Sequence, residues 1–110
     1  MEVRKDSSHG AVVYRISGKL DALTGPDLGT VIAIDAEGPR VILDMREVTF
    51  ISSAGLKGIM QAARRVQAAK GGIAIFGLQS PIKEVFDASG FGNFIPIGVD
   101  EVDARAKLGE

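Results

Sequence analysis

Val41-Ile42-Leu43-Asp44, then Met45 to Ile51, then Ser52-Ser53-Ala54-Gly55-Leu56 is the stretch from which the rest of the chain can be placed. Its first part is a short, continuous apolar run, the pattern of a strand covered on both faces. The pattern predicts that this strand ends at Asp44. Its last part opens the strongest helical pattern in the sequence. Leu56, Ile59, Met60, Ala63 and Val66 share one helical face, while Lys57, Gln61, Arg64 and Arg65 lie mostly opposite. Gly71-Gly72 should stop the helix, after Lys70 in its last turn. A second apolar run, Ile73 to Leu78, follows at once. Strand, helix and strand in this order imply a crossover and parallel pairing.

The same punctuation continues on both sides. Upstream, Val3 can seed a short strand before an Asp6-Ser7-Ser8-His9-Gly10 turn. Ala11 to Ile16 is a clearer strand, rich in β-branched residues, which Gly18 should end. Thr24-Gly25-Pro26-Asp27 opens a helix with an N-cap threonine, a proline in the first turn and an acid near the positive end of the dipole. Leu28, Val31, Ile32 and Ile34 supply its apolar stripe, and Gly38-Pro39 stops it. Downstream, Ser80 reads as an N-cap before Pro81, with Ile82, Val85 and Phe86 facing inward and Gly90 as the stop. Phe94 to Val99 can be an edge strand, since Pro96 argues against a central place. Asp100 to Leu108 forms a last charged helix. The expected fold is α/β: a small mixed sheet of four to five strands, its helices packed chiefly on one face.

At 110 residues, with neither repeat nor linker, the chain reads as one domain over residues 1–110. Thirteen basic residues against fourteen acidic give a net charge of -1, which disfavours nucleic-acid binding, because phosphate neutralisation needs a basic excess. The uncharged stretches, Val48 to Leu56 among them, are all far short of the roughly 20 apolar residues of a membrane span. Met1 to Ser8 is polar, without the apolar run of a secretory signal, so a cytoplasmic location is expected. Zero cysteines exclude a disulfide framework, a thiol nucleophile and thiolate metal sites.

Little in the chain can perform catalysis. His9 is the sole histidine and reads as a solvated turn residue, so a zinc site would need all-carboxylate ligation. Ile51-Ser52-Ser53-Ala54-Gly55 lacks the first glycine of the hydrolase elbow G-x-S-x-G, and no downstream histidine can serve as base. Neither a dinucleotide-binding glycine pattern nor a phosphate loop is present, so no cofactor is expected. Lys57, Arg64 and Arg65 could recognise an anionic partner, or could simply be the wet face of an amphipathic helix. The serine pair also has two readings. Either Ser52 or Ser53 caps the helix by accepting a backbone N–H. Or the site is regulatory, because a helix N-terminus seats phosphate well, and phosphorylation adds about -1.5 to -2 charges there.

The segment from Leu43 to Leu56, with its apolar strand ending in aspartate, its aromatic Phe50 and its Ser52-Ser53-Ala54-Gly55-Leu56, resembles the signature of STAS-domain anti-sigma-factor antagonists. Gly18-Lys19-Leu20-Asp21 with Thr24 is similar to that family's G-x-L-D…T element. Gly71-Gly72, Ser80-Pro81, Val85-Phe86 and Ser89-Gly90 match its later half, so the likeness runs over roughly residues 3 to 105. The resemblance implies a STAS-like fold and a partner-switching role. The unphosphorylated protein would bind an anti-sigma factor with serine kinase activity, phosphorylation would release it, and a PP2C-type phosphatase would reverse the modification. ATP and magnesium would belong to those partners. By position the phosphoacceptor would be Ser53, with Ser52 as the alternative, because a serine stands where the family often has aspartate. Asp21, Thr24, Ser52, Ala54, Gly55 and Lys57 would form the partner-binding surface. Asp21 can equally be a solvated turn carboxylate, and Asp44 either orients the loop by hydrogen bonds or simply ends its strand. A constitutive STAS scaffold in a transport or signalling assembly, with Ser53 only a cap, is the alternative implied function.

Overall fold

The computed structural model of the chain describes residues 1–8, 10–25, 27–28 and 40–108. Five strands form one sheet in the order β1-β2-β3-β4-β5: β1 Glu2–Ser8, β2 Ala11–Leu20, β3 Arg40–Ile51, β4 Gly72–Phe76 and β5 Ile97–Gly98. β1 and β2 pair antiparallel, from Glu2 opposite Ser17 to Ser8 opposite Ala11. The other pairings are parallel, with Val13 beside Ile42, Ile42 beside Ala74 and Ile75 beside Ile97. Three helices are fully described: α1 Ser53–Ala68, α2 Ser80–Ala88 and α3 Glu101–Lys107. The mixed sheet expected from the sequence is therefore present.

Strand alternation sorts the core into two layers. Tyr14, Ile16, Val41, Leu43, Met45, Ile73 and Ile75 face α1 and α2, against Ile59, Ala62, Ala63 and Val66 of the first and Ile82 and Phe86 of the second. Ala11, Val13, Ile42, Ala74 and Phe76 pack on the other side with Ala104 of α3, and Leu108 lies at its edge. The unbroken apolar run Val41-Ile42-Leu43 thus serves both layers. Of the three fully described helices, α1 and α2 lie on one face and α3 on the other.

Several expected boundaries move, each for a physical reason. β1 runs seven residues rather than sitting as a short segment around Val3, and Asp6 to Ser8 belong to it. Its charges are tolerable because it is an edge strand, where polar side chains guard the unpaired backbone. β2 does not stop at Gly18. The strand passes through it with φ +92°, and the pairing with β3 shifts register there, as in a bulge. β3 likewise continues through Asp44 to Ile51, because paired arginines satisfy that carboxylate. At the end of α1 the left-handed residue is Lys70, φ 62°, one position before the expected glycine pair. α2 is capped from Gln79, not Ser80, and the Gln79 side chain instead donates to the Arg46 carbonyl at 2.9 Å. Gly90, φ 71°, does take the left-handed conformation after α2. The strand expected over 94–99 contracts to Ile97–Gly98, preceded by a 3₁₀ turn at Phe91–Asn93. The helix expected after Thr24 lies mostly outside the described residues, as does His9. Gly25, Asp27 and Leu28 are helical, and Leu28 is fully buried.

Candidate functional site

The C-terminal ends of β2 and β3 bring two loops and the start of α1 together. Ser52 leaves β3 in an extended conformation, φ -100° and ψ 173°, and its hydroxyl accepts the Gly55 N–H at 3.2 Å. Its own N–H donates to the Leu20 carbonyl at 2.9 Å, and its carbonyl accepts from Leu56 N–H at 2.9 Å. Ser52 is therefore the cap. Ser53 is the first residue of the helix and is exposed. Among the described residues its hydroxyl has no hydrogen-bond partner, and the first turn carries no acid. The first turn thus brings no negative charge of its own to the positive end of the helix dipole.

Close packing sets where that turn sits. A Cβ on Gly55 would collide with the Leu20 carbonyl oxygen, and one on Gly58 with the Gly25 carbonyl oxygen. The absence of both side chains lets α1 settle on the backbone of the loop that follows β2. In that loop the Asp21 Oδ1 accepts from Leu23 N–H at 3.0 Å and Thr24 N–H at 3.1 Å. The Thr24 hydroxyl accepts the Asp21 N–H at 3.0 Å and lies within reach of the Lys19 carbonyl at 2.9 Å. The Thr24 backbone bond, followed by its hydroxyl and the Leu23 N–H, holds the Asp21 carboxyl below its usual pKa. Asp21 is accordingly an ordered turn carboxylate, and the residue before it, Leu20, accepts the Ser52 N–H. The structure brings Asp21, Thr24, Ser52, Ser53, Ala54 and Gly55 to one end of the sheet, with exposed Lys57 one helical turn beyond Ser53.

This architecture matches the STAS domain family model over residues 2–104. The chain belongs to the STAS domain family. It is similar to BtrV of Bordetella bronchiseptica, a protein bearing the name of an anti-sigma factor antagonist. The two are 27% identical over 108 residues, covering 96% of this chain and 93% of that protein. Among solved structures, an anti-sigma factor antagonist from Mycobacterium paratuberculosis superposes with a TM-score of 0.85 at 22% identity, covering 99% of this chain and 94% of the other. The Bacillus cell fate determinant SpoIIAA, solved in its phosphorylated form, gives 0.63 at 20% identity, covering 97% and 99%.

Sequence reasoning missed part of this STAS domain's exposed surface. Leu23 and Phe50, 84% and 48% exposed, are large apolar side chains in the segments that flank the serine turn. Leu56 and Met60, expected in the core stripe of α1, are only half-buried, because the innermost positions are Gly55, Gly58, Ile59, Ala62, Ala63 and Val66. The signal was legible as a ladder of small residues, which draws a helix close and turns its larger neighbours outward. Leu56 and Met60 help line a groove of about 390 Å³ together with Ser53, Lys57, Gln61, Arg64, Ser89 and Phe91.

Asp44 is not part of that end. It is buried on the α3 side of the sheet, where Arg15 donates to it at 2.7 Å and Arg46 at 2.8 and 3.0 Å. Burial pushes its pKa up, but hydrogen bonds from the Arg46 side chain and backbone and from Arg15 prevail and hold it low. Arg46 also stacks 5.5 Å from the Phe76 ring centroid. Asp44 therefore ties β2 to β3 rather than positioning the serines. Among the described residues no cluster of acids and histidine suits a metal, and no helix is long and apolar enough to cross a membrane.

Proposed function

We propose that this STAS domain is an anti-sigma factor antagonist, switched by phosphorylation of Ser53. Unmodified, it binds an anti-sigma factor that has serine kinase activity. In the complex the Ser53 oxygen attacks the terminal phosphorus of ATP, a P–O bond forms, ADP leaves, and the kinase takes the hydroxyl proton. A PP2C-type phosphatase returns the serine by hydrolysis, with water supplying the oxygen of the released phosphate. In this role the protein works in the cytoplasm, binds neither nucleic acid nor membrane, and needs no cofactor of its own.

The observation that carries this reading is the division of labour between the two serines. Ser52 spends its hydroxyl on the cap, while Ser53 stands exposed at the first helical position. Names of similar proteins and the phosphorylated form of a structural neighbour point the same way. A phosphate on Ser53 would add about -1.5 to -2 charges at the positive end of the dipole, where anions are stabilised by about 0.3–1 kcal/mol. The domain itself is therefore left folded. A partner lying over Ser53 instead meets a desolvated anion, and each 1.4 kcal/mol or so of penalty weakens binding about tenfold.

Incubation with the cognate kinase and ATP, read by intact mass, should add one phosphoryl group to wild type and none to Ser53→Ala. Calorimetry should find partner affinity kept in Ser53→Ala and lost in Ser53→Glu. No mass gain, or equal affinity for wild type and Ser53→Glu, would leave only the constitutive scaffold.

A further inference from the structure

The groove beside Ser53 has a chemistry that phosphorylation alone does not explain. Its apolar part is Phe91, buried, with Leu56 and Met60 half-buried beside it. Among the described residues its charges are Lys57 and Arg64, and no carboxylate lines it. Several other basic side chains have acidic companions: Lys83 with Asp87, Lys107 with Asp103, Arg105 with Glu101, and both Arg15 and Arg46 with Asp44. Among the described residues Lys57 and Arg64 form no such pair. A chain of net charge -1 thus presents a locally positive, partly apolar trough that begins at Ser53.

From these observations, and resting on the function proposed above, we infer that the groove seats an acidic amphipathic helix of the anti-sigma factor. Lys57 and Arg64 are seven residues apart on α1, about 10 Å or two turns along its axis. A helix laid along α1 at a shallow angle presents side chains at the same seven-residue interval. Two carboxylates so spaced meet the two cations, and the apolar residues between them fill the space over Leu56, Met60 and Phe91.

The inference also gives the phosphate a second action. Ser53 and Lys57 stand at i and i+4 on one helix, the spacing at which opposite charges pair. A phosphate of about -1.5 to -2 charges cancels most of the groove's two positive charges and draws Lys57 toward itself. Release then comes from loss of attraction as well as from repulsion, and reversing the groove's charge should release the partner with no phosphate present.

The test uses the purified anti-sigma kinase, identified by its phosphorylation of Ser53, as the probe. Calorimetry should show Lys57→Gln and Arg64→Gln each weakening its binding by about 3- to 10-fold, and Lys57→Glu with Arg64→Glu by about 100-fold or more. Wild-type affinity should fall with salt more steeply than that of the double glutamine variant. Lys107→Gln, on α3, should change nothing, and thermal unfolding confirms that every variant folds. In the phosphorylated protein, phosphorus NMR should show a higher phosphoserine pKa in Lys57→Gln than in wild type. Hydrogen exchange should find the kinase segment protected by the complex to be helical and acidic. Binding by the double glutamine variant within about twofold of wild type would overturn the groove, as would a protected segment that is a loop or lacks carboxylates, while Ser53 switching stayed intact. Failure of wild type to bind the kinase, or of Ser53 to accept phosphate, would instead remove the function on which the groove depends.

Discussion

Gly55→Ala asks whether helix propensity or steric fit governs the first turn of α1. Alanine improves a helix interior by about 1 kcal/mol over glycine, and on that ground alone the variant should be more stable. Against it, the new methyl would lie 2.7 Å from the Leu20 carbonyl carbon and 3.0 Å from Ile51 Cγ1, and closer still to the Leu20 oxygen. The worst neighbours are backbone atoms, which cannot rotate aside. Overpacking of this kind costs about 1–3 kcal/mol, and here it must be relieved by lifting the helix start, which strains the bond from Ser52 N–H to Leu20. Because the obstruction is backbone, the upper part of that cost applies, and after the gain in propensity the net loss is about 1–2 kcal/mol, or a melting temperature lower by roughly 4–12 °C for a domain of this size. Circular dichroism melts measure it, with Gly92→Ala as control. There the nearest atom to a new methyl is Ile97 Cδ1 at 3.7 Å, an ordinary contact, so the shift should be small. A Gly55→Ala melting temperature equal to or above that of wild type would refute the account of why α1 sits where it does.

Two further outcomes follow from the geometry. Asp44→Asn keeps the shape but leaves Arg15 and Arg46 around a neutral group, and because both arginines reach solvent the loss should be about 1–3 kcal/mol at neutral pH. The Asp44 pKa is lowered by folding, so its stabilisation is present above the unfolded value near 3.8 and disappears as pH falls through the lower folded value. Denaturation series at several pH values should therefore show the gap between wild type and Asp44→Asn closing in acid; a gap that stays constant would contradict the assignment. Ser52→Ala removes a cap and should cost about 0.5–2 kcal/mol, yet Ser53 should still gain one phosphoryl group by mass. Loss of the modification with the fold intact would move the acceptor to Ser52.

The sequence was most readable where contacts are local. Apolar runs announced β3 and β4, and the periodic helix after Ser53 announced the crossover between them. It was least readable where a partner comes from far along the chain. Asp44 looked like a strand end because Arg15, its partner at 2.7 Å, is 29 residues away in sequence. The charged strand β1 owes its extent to its pairing with β2, which no residue within it announces. The serine turn could be located, but not which serine caps the helix, since either hydroxyl could have done so until the Gly55 bond was seen. Leu56 and Met60 satisfied the helical period, and only the approach of Gly55 and Gly58 to backbone reveals that they sit at the rim of the core.

At one margin of the sheet stands β1, crowded with Glu2, Arg4, Lys5 and Asp6; at the other is β5, two residues long. Neither margin offers a long, plain template on which another polypeptide could add itself. Growth of one copy on the edge of another therefore finds only a charged strand at one side and two residues at the other.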